Sequence, residues 1–500
     1  MTAQGVNITV QDGGLGQSVP GQGQTEVVIG VSSAGTAFQP VTSSNPTIFP
    51  STFGYGPGPD AAAFITSQTG NPVTFVKVPN ASAGVVTSVY AASTNTGSGT
   101  FTISGTPYDD YYVVVGYEQA VPGSPVAFGT AGITVTVSLD GGATIYQTSA
   151  MQTNTTLAIT NTGLTLNFSG TPDNGDSSYF VATAPTWSDA AVASAIQAAA
   201  SIKSNEFEDI IVTGVSGGSD VTAFDGYMTT LANTNKRWSR LLCAARDIVW
   251  GGASTETEAQ WVTSLANAFA STSSLRVGVT GGHYRSISPL YNSSQLRRPL
   301  LWFAAARDSA VAIQVDLGEV DLGSLSNLVL PTSPDKFGNG TFVYHDESQN
   351  PGLDAARLMA AWQIVGLPGV FIMNPNLMAP PGSDFNWLQH GHVIDEACSI
   401  AYGYFIQRLS SYVRVSAKTG FILPQDQAKL QAGCQNLLNV NLVNVGAVSA
   451  ATCIVSGTDN ILSTATITVT IKIVPLGYIK AVNVTITFVN PAVQVVQNAA

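Results

Sequence analysis

The run Ala465-Thr-Ile-Thr-Val-Thr-Ile-Lys-Ile-Val-Pro475, continued by Leu476-Gly-Tyr-Ile-Lys480 and Ala481-Val-Asn-Val-Thr-Ile-Thr-Phe-Val-Asn490, alternates apolar and polar residues twice. Ile467, Val469, Ile471 and Ile473 share one face of the first half, and Val482, Val484, Ile486 and Phe488 one face of the second. That is strand periodicity, and Pro475-Leu-Gly-Tyr478 suits a turn, so the two halves are expected to form one long ribbon. A lone two-stranded ribbon is marginal in water and needs more strands. Val6-Asn-Ile-Thr-Val-Gln11 offers one, with Val6, Ile8 and Val10 alternating ahead of a Gly/Gln-rich leash over 12–24. The tail Ala492-Val-Gln-Val-Val496, with Val493 and Val495, offers another. A short strand on a leash can pair with its own body or with a neighbouring copy's open sheet edge. These residues are therefore expected to be inter-subunit arm strands, and the chain is expected to polymerise.

The composition agrees. The 500 residues are 44% apolar, enough for more than one core, but only 10% charged, against a norm of about 25%. A surface so poor in repulsion suits a protein that buries its exterior against copies of itself, or a secreted adhesin or surface-layer protein. Residues 1–202 hold one basic residue, Lys77, against ten acidic ones. Neither half has the basic stripe of a nucleic-acid binder. No apolar run reaches 18 residues and Met1–Gly5 opens no signal peptide, so membrane insertion is not expected and synthesis is expected to be cytosolic. Cys243, Cys398, Cys434 and Cys453 lack CxxC spacing and are expected to be buried thiols, with inter-subunit disulfides as the lesser alternative.

Outward from the ribbon, the chain has several characters. Thr25–Val31 and Pro72–Val78 are expected strands flanking a short helix, Asp60–Thr66. Residues 81–184, without Arg or Lys, alternate through Gly99–Ser104, Tyr111–Gly116, Gly132–Ser138 and Leu164–Phe168, the pattern of an inserted β-sandwich or barrel. From 185 to 380, helices alternate with the short apolar runs Asp209–Thr213, Ser239–Ala245, Leu275–Thr280 and Pro299–Ala305, arguing for an open sheet covered on both faces. A helix Leu353–Ile364 and a strand Gly369–Met373 are expected to close that unit. Residues 381–500 are expected to hold helices over Asn386–Arg408 and Pro424–Leu438, a short strand Tyr412–Ser416 and the terminal strands. The fold class is thus α+β and α/β, multidomain, with mixed sheets and helices, an inserted all-β domain, and extended terminal arms.

A strand ending in Gly30, a small-residue loop leading to Pro40-Val41, Phe53-Gly54, a short helix containing Phe64, and Pro72-Val-Thr-Phe-Val-Lys-Val78 follow one another in that order. This order resembles the start of the contractile tail sheath proteins of myophages. The α/β middle and the helical pair before the terminal strands resemble the same family. The resemblance implies a non-enzymatic subunit without cofactor. Copies would stack as hexameric rings around a tail tube, meet baseplate and tail terminator proteins, and contract to drive the tube through a host envelope. Such a subunit assembles in the host cytoplasm and resides in the virion tail. Arg408, Arg414, Lys418 and Lys429 are the candidates for the tube-facing surface.

Two motifs argue for chemistry instead. Gly214-Val-Ser-Gly-Gly218 matches G-x-S-x-G between a strand and a helix, and Asp384 with His390 or His392 would complete a Ser hydrolase order around Ser216. No oxyanion loop accompanies it, and glycines suit any tight turn there. His390-Gly-His392 with Asp395, Glu396 and Cys398 carries metal-capable side chains, but the two histidines point apart on a helix and no second pair completes a zinc set. Gly281-Gly-His-Tyr-Arg285 lacks the Lys-Ser/Thr of a P-loop.

Overall fold

A computed structural model describes residues 25–202, 207–249, 256–291, 294–331 and 344–486. The apolar runs of the N-terminal block and of the α/β middle make one sheet. Its strand order is Val277–Thr280, Arg240–Ala244, Asp209–Val215, Glu26–Gly30, Val73–Lys77 and Val41–Ser43. All neighbours are parallel except the last pair. Such strands are apolar at nearly every position because helices cover both faces. Val27, Ile210 and Leu241 meet the helices Asp189–Ala200, Gly218–Asn235 and Glu258–Phe269. Val28, Ile211 and Leu242 meet Pro57–Thr69, Leu300–Asp308 and the start of Leu388–Ile406.

Gly30 explains why the first strand must end in glycine. A Cβ there would lie 2.0 Å from Thr213 Oγ1 and 2.9 Å from the Gly58 Cα. The first turn of helix Pro57–Thr69 can close on the sheet only over a bare backbone.

The insertion forms two antiparallel sheets. One holds Val85–Val86, Ser177–Thr183, Tyr111–Gln119, Ile133–Ser138 and Gln147–Ala150; the other holds Thr156–Ile159, Leu164–Ser169 and Thr100–Gly105. Phe101, Tyr117, Val135, Phe168 and Phe180 fill the space between them. It is a sandwich, and the described strands close no barrel.

The insertion is fastened to the body by a buried charge cluster. Arg298, on the strand Gln295–Pro299, gives two hydrogen bonds to Asp109 (2.8 and 2.7 Å) and one to Asp60 (2.5 Å). Ser288 Oγ donates to the other Asp60 oxygen at 2.8 Å, and the guanidinium stacks over Trp302. The Asp60 and Asp109 side chains are 0% exposed and that of Arg298 2%.

On the strand His283–Ile287, the His283 imidazole lies 3.6 Å from Asp247, which Arg297 already holds. Burial lowers His283 to about 4; Asp247 opposes this, and the Arg297 and Arg298 charges add to it. The folded chain keeps this imidazole neutral while the unfolded chain takes up a proton below its ordinary value of about 6.5. Stability is therefore present above pH ~6.5 and lost as pH falls towards ~4, by about 3 kcal/mol from this group. Urea titrations at stepped pH are expected to show a shallower acid loss for His283→Gln by roughly that amount.

Three expected elements differ. Pro299–Ala305 is mostly helix, Leu300–Asp308, because a short apolar run buried all round carries no period that separates helix from strand. Leu353–Ile364 is not a helix. The Glu347 carboxylate accepts the N–H groups of Gly352, Leu353 and Asp354, and Arg357 sits at φ 68°. These hold the segment as a loop that leads into the strand Ala361–Trp362. Tyr412–Ser416 makes only a bridge, Val415 to Ile422.

The last part has its own small core. The helix Pro424–Leu438 and the strands Ala450–Val455 and Val469–Val474 bury Cys434, Leu438, Cys453 and Val455 with Tyr404. Here the structure corrects the expected ribbon. Val469–Val474 pairs antiparallel with Ala450–Val455, Ile471 opposite Cys453, and not with the described residues 481–486. This partner wins, although it is farther along the chain, because Ile467, Val469, Ile471 and Ile473 then close over the core beneath helix Pro424–Leu438.

Candidate functional site

The terminal hairpin is built with one closed and one open edge. Ser456 N–H donates to Thr468 O, which fixes the parity of the ladder. The backbone groups of 450, 452 and 454 point into the hairpin, and those of Ala451, Cys453 and Val455 point outward. Four of the six groups in the outward set are bonded by a ladder of glutamines from helix Pro424–Leu438. Gln427 donates to Val455 O (2.7 Å) and Gln435 to Ala451 O (2.8 Å), while Cys453 N–H donates to Gln435 Oε1 (2.7 Å) and Val455 N–H to Gln431 Oε1 (3.3 Å). Spacing of four residues puts the three glutamines on one helical face. By the same parity the outward groups of Val469, Ile471 and Ile473 lie along the other edge, where no described strand pairs.

Beyond the hairpin the chain turns back to the body. Tyr478 Oη donates to Gln314 O at 2.6 Å, and Lys480 pairs with Asp316 at 2.5 Å over the Trp387 ring. After this anchor no strand forms over 481–486, and Val482, Val484 and Ile486 are 73%, 73% and 88% exposed. Apolar side chains so exposed on an alternating segment are costly unless something covers them. Val6, Ile8, Val10, Phe488, Val493 and Val495 lie outside the described residues.

Among the tube-facing candidates, Arg408 is half-buried, stacked on Tyr404 and donating to the Tyr404 carbonyl. Arg414 is exposed and paired with Asp426 at 2.8 Å. Hydrogen bonds from Arg414 hold the Asp426 carboxyl down at about 2, with Lys429 adding to the pull. Lys418 and Lys429 are exposed on the same part of the chain.

The hydrolase residues do not meet. Ser216 follows the carboxyl end of the strand Asp209–Val215, 2% exposed. His392 binds Asp209 at the opposite end of that strand, about 20 Å away at ~3.3 Å per residue. His390 accepts no role there either: its Nδ1 faces Asp384 O at 3.0 Å and its ring packs on Trp387 and Tyr478.

The metal-capable residues of 390–398 also diverge. Asp395 pairs with Arg240 (2.7 Å) and Arg276 (3.5 Å), which docks helix Leu388–Ile406 on the sheet. Cys398 is buried, as are the other three cysteines, none of them bonded to another. His392 instead joins carboxylates that sequence spacing gave no reason to group. Its Nε2 is 3.0 Å from Asp209 and 3.9 Å from Asp308, and its Nδ1 is 3.3 Å from Glu208. Burial pulls this imidazole down, but Asp209 and Glu208 overcome it and hold it at about 9. No described helix is long and apolar enough to cross a membrane.

The family described as DUF2586, N-terminal domain, matches residues 3–376. No curated protein matches the sequence. Among solved structures, the chain is similar to the sheath tail protein of Desulfitobacterium hafniense at 12% identity and TM-score 0.45, over 94% of this chain and 100% of that one. A sheath tail protein of Listeria innocua gives 11% and 0.44 over 92% and 97%. The sheath of an extracellular contractile injection system, the PVC sheath complex in its contracted state, gives 9% and 0.49 over 97% and 98%.

Proposed function

The chain belongs to the family described as DUF2586, N-terminal domain, and from its terminal strand pattern and one-sided hairpin we propose that it is the structural subunit of a contractile tail sheath. Copies stack as hexameric rings around a tail tube protein, between baseplate and tail terminator, in a virion tail assembled in the host cytoplasm. On triggering, the polymer contracts and drives the tube through the host envelope, with free energy stored in subunit contacts.

The observation that carries this reading is the hairpin. One edge is closed by Gln427, Gln431 and Gln435, and along the other no described strand pairs with the outward backbone groups of Val469 and Ile471. Monomeric proteins blunt such edges, because unpaired strands recruit other chains. Here an exposed alternating segment, Val482 to Ile486, leaves the body close to the same part of the chain. A neighbour's arm added at the open edge satisfies both. The basic residues Arg408, Arg414, Lys418 and Lys429 are assigned to the tube-facing surface. The low charge of the chain, 10%, suits close stacking.

Negative-stain microscopy of the purified chain is expected to show rings or helical tubes, and deleting residues 1–20 is expected to leave a folded protein that does not polymerise. Uniform monomers from the full chain at high concentration would count against the sheath; normal tubes from the deleted chain would remove the N-terminal arm from the joint.

A further inference from the structure

Glu26, Asp209 and Arg240 begin three adjacent parallel strands, and the register places them side by side on one face of the sheet. Glu26 and Asp209 are 0% exposed. Asp308 ends helix Leu300–Asp308 beside them, and His392 projects in from the first turns of helix Leu388–Ile406. Arg240 is already committed to Asp395. Glu208, Asp209 and Asp308 therefore share one imidazole with Glu26 beside them, and an acid at a helix C-terminus also faces the negative end of the dipole. Four carboxylates cannot stay ionised in a buried corner without further positive charge.

The unpartnered atoms indicate where that charge belongs. Both Glu26 oxygens are buried with no hydrogen-bond partner, and the buried Asp209 and Asp308 carboxyls lie against each other with only a shared proton to bridge them. Ligand atoms of Asp209, Asp308 and His392 all lie within 4.8 Å of one another. His392 has the two-sided arrangement typical of a ligand: Nδ1 faces Glu208, which would fix the tautomer, while Nε2 faces Asp209 and Asp308. We propose that this corner binds a divalent cation of the class taken by mixed carboxylate and imidazole sets, Zn²⁺ or Mn²⁺. His392 Nε2, Asp209 and Asp308 are its ligands and Glu208 orients the imidazole, with Glu26 the next carboxylate along the sheet beside Asp209. The ion clips helix Leu388–Ile406, which leads into the terminal core, to the central sheet.

The test uses the full chain, freed of metal by chelator, with Zn²⁺, Mn²⁺, Mg²⁺ or Ca²⁺ added singly. Thermal unfolding and metal content by mass spectrometry are the readouts. About one Zn²⁺ or Mn²⁺ per chain and a higher Tm are expected, with Asp209→Asn and Asp308→Asn weakening the metal at least about tenfold. These variants are near-isosteric, and the wild-type metal content stands even if one of them folds poorly. A wild-type chain that holds no stoichiometric ion and keeps its Tm in chelator overturns the site, as the cluster is then neutralised by protons. A metal response that survives in both variants also overturns it, because the ion then binds elsewhere.

Discussion

Arg298→Met is expected to destabilise the monomer by about 3–5 kcal/mol, because it strips the counter-charge from two fully buried carboxylates at once. The guanidinium makes three hydrogen bonds to Asp60 and Asp109, and neither acid has water to turn to. Those two residues belong to different parts of the fold: Asp60 lies on helix Pro57–Thr69, and Asp109 lies between two strands of the inserted sandwich. The loss is thus expected to appear as a lower urea midpoint and as earlier proteolysis at the junction of the insertion with the body. Adding Asp60→Asn and Asp109→Asn to Arg298→Met removes the uncompensated charges and is expected to recover a large part of the loss, since a buried ion cluster and its neutral replacement differ far less than an intact and a broken one. A triple variant no more stable than the single one would mean that the arginine acts through its packing on Trp302 and not through charge.

Ile471→Pro is expected to abolish polymer formation while leaving a folded monomer. The N–H of Ile471 points away from the hairpin, so proline there breaks no bond of the existing ladder and removes a donor that an incoming strand requires. Ile471→Ala, which trims the side chain but keeps the N–H, is the matched control and is expected to assemble. Thr470→Pro faces the other way, and by removing a ladder bond to Ile454 it is expected to disrupt the hairpin itself. Sedimentation separates these outcomes. Normal polymers from Ile471→Pro would sink the assignment of this edge as the joint. The corresponding substitution on the guarded edge, Cys453→Pro, would test the reverse, since it costs the bond to Gln435 and harms the monomer.

The strand character of 465–475 was legible because alternation is a local property, set by successive side chains pointing to opposite faces. Its partner was not. The sequence offered 481–490, nearer along the chain and equally alternating, yet 450–455 supplies the pairing with a helix across it. The glutamine ladder could have been suspected from Gln427, Gln431 and Gln435 at intervals of four, a polar stripe where an amphipathic helix next to strands usually presents apolar residues. Nothing local announced the cluster around His392, because Glu26, Asp209, Asp308 and His392 are brought together only by strand register and helix docking. For the same reason the G-x-S-x-G match, already discounted for want of an oxyanion loop, gathers no triad: the motif is intact, but the chain delivers His392 to the opposite end of the strand.

By itself the sequence determined the kinds of element and their order: doubly buried strands written as continuous apolar runs, a Gly- and Thr-rich insertion, a helix from Pro424 to about Leu438, and an alternating terminus. Those are consequences of backbone geometry and side-chain period. The tertiary structure alone decided that 26–30 and 209–215, separated by the whole insertion, lie side by side in one sheet. It also decided which edge of the terminal hairpin is closed and which carboxylates share a histidine. Pairing, edge protection and buried charge depend on groups distant in the chain meeting within a few ångströms, and no local pattern encodes such meetings.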